Sequence, residues 1–185
     1  MCFNIPNTLS LIRLFLILIF VVVFYLPYSW ATFGAALIFW VASMTDFLDG
    51  MIARRLKQTS RFGAFIDPVS DKVLVATALV LITDYYHSVW ITIPAATIIA
   101  REIIISALRE WMAEIGGKTH VAVSWVGKLK TVSQMVSLLI LIWRYDNLTV
   151  HIGYFFIYLA MCLTYWSMFG YLRAAKTYYM HPEGQ

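Results

Sequence analysis

Residues 30–71 read WATFGAALIFWVASMTDFLDGMIARRLKQTSRFGAFIDPVSD. Positions 30–44 carry no charge, and the next 27 hold four Asp and four basic residues. An apolar run that long and unbroken does not suit a water-facing helix or a half-buried strand. Beyond it the polar residues fall in a helical pattern toward position 57, and a new apolar run covers about 69–81, extending to 86. The stretch therefore predicts two apolar helices whose near ends carry the charges.

Outward from this pair the same test finds four more runs: 9–26, closed by Pro27; 89–100, continuing more polar to about 113; 121–143; and 148–171. Six spans of about 20 residues take about 120 of the 185 positions. The composition agrees, with 61% apolar and 13% charged residues against about 25% charged in soluble domains. In lipid every backbone polar group must be satisfied internally, and runs this long and unalternating suit helices, not barrel strands. The expected fold is all-α: an integral membrane bundle of six transmembrane helices, a single transmembrane domain over 1–185 with a short juxtamembrane segment at about 1–8. No small-residue cleavage site follows the first run, so it reads as a retained span and not a signal peptide. Cys2 and Cys162, far apart in sequence and setting, imply neither a disulfide framework nor zinc, and Cys162 reads as a small packing residue.

The net charge of +4 points to no nucleic acid, because the basic residues cluster between apolar runs. With six spans, thirteen of the fourteen Lys and Arg fall on one side, and Arg144 stands alone on the other. The positive-inside bias puts both termini, and the charged ends around 45–72, in the cytoplasm. Trp30, Trp90, Trp143 and Tyr145 fall near the opposite ends, where aromatic belts form.

The acids in 45–71 carry the chemistry. At about 100° per residue, with Asp46 at zero, Ala53 lies near −20°, Asp49 near −60°, Gly50 near +40° and Arg54 near +80°. All five share one helix face. Gly63, Asp67 and Asp71 step by only about 40° each, so they align if the next helix begins early. Four acids on two helix ends repel unless positive charge lies between them. Arg54 offsets one, whereas two divalent cations offset all four. Oxygen ligands without a neighbouring His or Cys point to Mg²⁺ or Mn²⁺. Gly50, Ala53 and Gly63 clear the surface for a bulky anion.

These residues, Asp46-Phe-Leu-Asp49-Gly50-Met-Ile-Ala53-Arg54, eight residues, then Gly63-Ala-Phe-Ile-Asp67-Pro-Val-Ser-Asp71, resemble the signature of the CDP-alcohol phosphotransferases at every position. The resemblance implies a membrane enzyme that displaces CMP from a CDP-linked lipid with an alcohol. It implies that Asp46, Asp49, Asp67 and Asp71 hold two metal ions and that Asp71 is also the general base. It further implies that Gly50, Arg54 and Ser60 contact the CDP moiety, with Ala53 and Gly63 giving it room, and that the protein is a homodimer.

The acceptor must be read elsewhere. Arg101 and Arg109 lie about 80° apart on one helix, Lys128 and Lys130 open the fifth run, and Arg61 lies between the Asp pairs. Such a set suits a phosphorylated acceptor and repels choline or ethanolamine. Its alternative is positive-inside residues meeting anionic lipid, the reading preferred for Lys118, Arg173 and Lys176. Asn4-Ile-Pro-Asn7-Thr-Leu-Ser10-Leu-Ile-Arg13, Ala100-Arg101-Glu102 through Leu108-Arg109-Glu110, and Gly127-Lys128-Leu-Lys130-Thr131 are similar to one branch of the family, the bacterial phosphatidylglycerophosphate synthases. That branch has Thr more often than the Ser10 found here. It implies an inner-membrane enzyme using CDP-diacylglycerol and sn-glycerol 3-phosphate, with Asn7, Ser10 and Arg13 positioning the nucleotide-lipid. Asn7 and Thr8 can equally cap the first helix. Inositol phosphate or phosphatidylglycerol as acceptor, and a small cation transporter, are the other readings. A transporter would place its carboxylates near the midplane on broken helices, and these lie at helix ends.

Overall fold

The computed structural model describes residues 5–56, 61–114 and 125–180, with side chains described at 11–45, 66, 68–108, 110–111, 125 and 127–168. These residues form six α-helices and no strand: α1 (Ile5–Phe24), α2 (Ala31–Leu56), α3 (Arg61–Tyr86), α4 (Val89–Glu114), α5 (Trp125–Trp143) and α6 (Asn147–Met180). The helices follow the apolar runs, but several continue through polar sequence. α3 begins at Arg61 and not near 69, so Gly63, Asp67 and Asp71 lie on one helix. α1 begins at Ile5, with Pro6 in the first turn, where a missing N–H costs nothing. Asn7 and Thr8 are therefore inside that turn, and neither stands ahead of the helix as a cap must.

The helices sort into two compact units, Met1–Tyr86 with Leu138–Val150, and His87–Ser137 with His151–Gln185. In the first, α1 packs on α2 and α3, and α2 on α3. Buried Ala31, Ala35 and Ala42 keep α2 thin enough for close approach, since contact and not water expulsion drives helix pairing in lipid. Phe20 fills the centre, its ring 6.1 Å from Phe24 and 5.9 Å from Phe39. At one end of this unit Tyr25 donates to Asp84 (2.7 Å) and Tyr86 to the Leu141 carbonyl (3.2 Å). There the Arg144 guanidinium lies 3.8 Å from the Tyr85 ring centroid and 4.6 Å from that of Phe24.

In the second unit, Ile91, Ala95, Ile98 and Ile105 of α4 and Ile157 and Ala160 of α6 are buried. Ser137 on α5 donates to the Gly153 carbonyl on α6 (2.8 Å). Pro94 interrupts the ladder of α4. Having no N–H, it leaves the carbonyl of Trp90, four residues earlier, without its helical donor. The Tyr158 hydroxyl supplies one at 2.9 Å.

The outer faces invert the usual pattern. Phe15 and Leu18 on α1, Phe33 on α2, Val80 on α3, Ile103 on α4, Val132 on α5 and Phe155 on α6 are all exposed, whereas Arg13, Arg101, Lys130 and Gln134 are buried. Large apolar side chains outside and charges inside suit a lipid solvent. Cys162, expected to pack inside, is exposed on α6. Among the described residues, Val89–Leu108 and Asn147–Met168 are long and apolar enough to cross a membrane, at 20 and 22 residues, and Leu11–Phe24 and Ala31–Thr45 are shorter apolar helices. Several hydroxyls on these helices close back on their own backbone, as Ser43 does on Phe39, Thr83 on Leu79 and Ser106 on Glu102, which satisfies those donors without water.

Candidate active site

Both acid pairs lie in uninterrupted helical backbone of the first unit. Asp46 and Asp49 occupy α2 at i, i+3, followed on the same helix by Gly50, Ala53 and Arg54. Arg61, Gly63, Asp67 and Asp71 follow on α3, with the two acids at i, i+4. The side chains of Asp46, Asp49, Ala53, Arg54, Arg61 and Asp67 and the surroundings of Gly50 and Gly63 lie outside the described residues, and so does Ser60 altogether. Asp71 is half-buried and partnered. Pro68, between Asp67 and Asp71, frees the carbonyl of Ala64 from its helical bond.

The residue types fit hard cations. Carboxylates at one-turn spacing on two helices that pack together would offer oxygen ligands, and residues 45–72 contain no His or Cys.

On α1, Arg13 is fully buried, at 0% exposure, and partnered. The side chains of Ser10 and Asn7, about one and two turns before it, lie outside the described residues. An arginine held inside an apolar helix costs about 2.5–3.5 kcal/mol on insertion scales, so its place requires pairing or function.

The second unit brings two of the predicted cations together. Arg101 on α4 and Lys130 on α5 are 7% and 5% exposed. Both donate to the same oxygen, Oε1 of Glu102: Arg101 through Nη1 at 3.0 Å, Lys130 through Nζ. The other arm of the guanidinium, Nη2, donates to Ser167 Oγ of α6 at 3.0 Å. Buried charges survive when paired and hydrogen-bonded, and this cluster does both across three helices.

Lys128 does not join them. Two residues apart on a helix is about 200°, so Lys128 and Lys130 face different ways. Lys128 is exposed, with its ammonium 5.8 Å from the Trp125 ring centroid. The Arg109 side chain lies outside the described residues. Glu102 and Ser167 were missed in the sequence. Glu102 carried the signal, as an acid inside an apolar run, whereas Ser167 joins only through the packing of α6 on α4.

The chain matches the CDP-alcohol phosphatidyltransferase family over residues 3–166. A protein of Pectobacterium atrosepticum named CDP-diacylglycerol–glycerol-3-phosphate 3-phosphatidyltransferase is 60% identical over 182 residues, covering 98% of this chain and 100% of the relative. Relatives of the same name from Sodalis glossinidius and Escherichia coli (strain K12) are also 60% identical, over 173 and 176 residues. They cover 94% and 95% of this chain and 95% and 97% of their own lengths.

Proposed function

Because the chain belongs to the CDP-alcohol phosphatidyltransferase family, we propose that it transfers the phosphatidyl group of CDP-diacylglycerol to sn-glycerol 3-phosphate, giving phosphatidylglycerophosphate and CMP. The family sets the donor chemistry. The observation that carries the acceptor is the buried Arg101–Lys130 pair, which suits a phosphate and repels a cationic head group.

In this reading a hydroxyl of glycerol 3-phosphate attacks the phosphorus that carries the diacylglycerol. A new P–O bond forms, the P–O bond to CMP breaks, and the hydroxyl proton passes to Asp71. A carboxylate is a weak base at neutral pH, so Asp71 takes the proton late, as the hydroxyl acidifies on attack. Asp46, Asp49, Asp67 and Asp71 would hold two Mg²⁺ or Mn²⁺ ions. Bound there, the ions supply charge neutralisation along the pyrophosphate. Arg54, Gly50 and Ser60 contact the CDP moiety, with Ala53 and Gly63 leaving it room. Asn7, Ser10 and Arg13 orient the nucleotide-lipid. Arg101 and Lys130 bind the acceptor phosphate, with Arg61 and Arg109 as further contributors. Positioning of this kind supplies most of the rate in phosphoryl-type transfer.

The placement follows the same logic. We read the six helices as six spans of one catalytic domain, because a single family match runs from 3 to 166 and large apolar side chains face outward on every helix. The Lys and Arg bias puts both termini and the reacting groups on the cytoplasmic side of a bacterial inner membrane, in a homodimer.

Mass analysis of the lipid formed by purified protein tests the acceptor. CDP-diacylglycerol would be offered with glycerol 3-phosphate, inositol phosphate, serine and phosphatidylglycerol in equal amounts. Phosphatidylglycerophosphate as the one product supports the reading, and any other lipid product overturns the assignment of the acceptor.

A further inference from the structure

Two of the cluster's cations come from different helices, and one carboxylate oxygen joins them. Glu102 Oε1 accepts from Arg101 Nη1 at 3.0 Å and from Lys130 Nζ, while Ser167 Oγ holds Arg101 Nη2 at 3.0 Å. Two cations so close repel each other, and a lysine has four rotatable bonds through which its ammonium can withdraw toward water. An acid between them cancels the repulsion and fixes where both point. It is also the costliest way to tie α4 to α5 in an apolar setting, where van der Waals packing or a hydroxyl would serve.

We infer that Glu102 is a positioning residue that holds Arg101 and Lys130 converged, so that the acceptor phosphate meets a ready-made pair of cations. The inference rests on the reading that those two cations take the acceptor phosphate. Glu102 touches neither substrate. It acts on the reaction by removing the cost of gathering two repelling, flexible groups when the phosphate arrives.

The carboxylate has two possible duties that kinetics separate. A helix pin lost by substitution weakens the whole protein and moves both substrates together. A clamp on the phosphate cations moves one substrate alone. In Glu102→Gln, which keeps shape and a hydrogen-bond acceptor but removes the charge, KM for glycerol 3-phosphate rises about tenfold or more. KM for CDP-diacylglycerol and kcat stay within about threefold, and elution from a sizing column in detergent is unchanged. Glu102→Asp recovers part of the KM. In a Lys130→Met background, Glu102→Gln adds less than about twofold, because the group it orients is gone.

An unchanged or lowered KM for glycerol 3-phosphate in folded Glu102→Gln would overturn the inference, as would equal rises in KM for both substrates. So would failure of both Glu102 variants to fold, which makes the carboxylate a helix pin. Lys130→Met alone tests the underlying reading: if it leaves KM for glycerol 3-phosphate unmoved, the acceptor assignment fails first, whatever Glu102 does.

Discussion

Tyr158→Phe is expected to destabilise the protein by about 1 kcal/mol, and only while Pro94 is in place. The Trp90 carbonyl loses its helical partner to Pro94 and regains a donor in the Tyr158 hydroxyl at 2.9 Å. Leaving a carbonyl unsatisfied costs about 1–3 kcal/mol when it is buried. Measured hydrogen bonds in membrane bundles average about 0.6 kcal/mol, with a ceiling near 1.7. This contact is solvent-accessible, near the start of α4, which places it in the lower part of those ranges. For a chain of 185 residues, about 1 kcal/mol is about 2–4 °C in the unfolding midpoint. The assay is thermal unfolding of detergent-purified protein followed by tryptophan fluorescence, run as a double-mutant cycle. Pro94→Ala restores an N–H four residues after Trp90, so in that background Tyr158→Phe should shift the midpoint by less than about 1 °C. Equal shifts in both backgrounds would refute the reasoning, because the tyrosine would then be stabilising something other than the proline's orphaned carbonyl.

Three further outcomes are expected. Arg144→Met should cost about 1 kcal/mol by removing the guanidinium from Tyr85 and Phe24, and Arg144→Lys should recover only part, since an ammonium cannot stack as a plane; no change in midpoint would count against the stack. Asp146 caps α6, accepting from the Thr149 N–H at 2.7 Å while Thr149 Oγ1 accepts from the Asp146 N–H at 3.1 Å. The hydroxyl and N–H of Thr149 hold its carboxyl below the ordinary value, so the stabilisation is complete above the unfolded value of about 4 and fades as pH falls through the folded one. The midpoint gap between wild type and Asp146→Ala should therefore narrow in acid, and a gap independent of pH would contradict the charged cap. Finally, EDTA should abolish CMP release and excess Mg²⁺ or Mn²⁺ should restore it, with chelator-resistant turnover as the contrary result.

Much of the fold was readable because a long, unalternating apolar run has one economical solution, a helix with its backbone bonds satisfied inside. That rule located the six helices but not their ends. α3 runs back through Phe62 and Gly63 to Arg61, and α6 on to Met180, because helical hydrogen bonding continues wherever the backbone allows it, in or out of an apolar run. The placement of the acid pairs on α2 and α3 was legible from spacing alone, since i, i+3 and i, i+4 matter only on a helix. Closeness in sequence groups Lys128 with Lys130, although a separation of two residues turns a side chain to another face. Arg144 counted only as a topological charge, and its seat between Phe24 and Tyr85 depends on residues far away in sequence. The same holds for Pro94 and Tyr158: a proline announces a missing donor, but nothing local says which side chain replaces it.

Phosphatidyl transfer with Asp71 as the base is tested most directly by the rate of CMP release from CDP-diacylglycerol. Purified protein with Mg²⁺ would be assayed with and without glycerol 3-phosphate, beside Asp71→Asn prepared in the same way. Release should depend on glycerol 3-phosphate and fall by about 10²-fold or more in Asp71→Asn, the scale expected for loss of a general base. Release that needs no glycerol 3-phosphate, or that survives in Asp71→Asn, would contradict this mechanism.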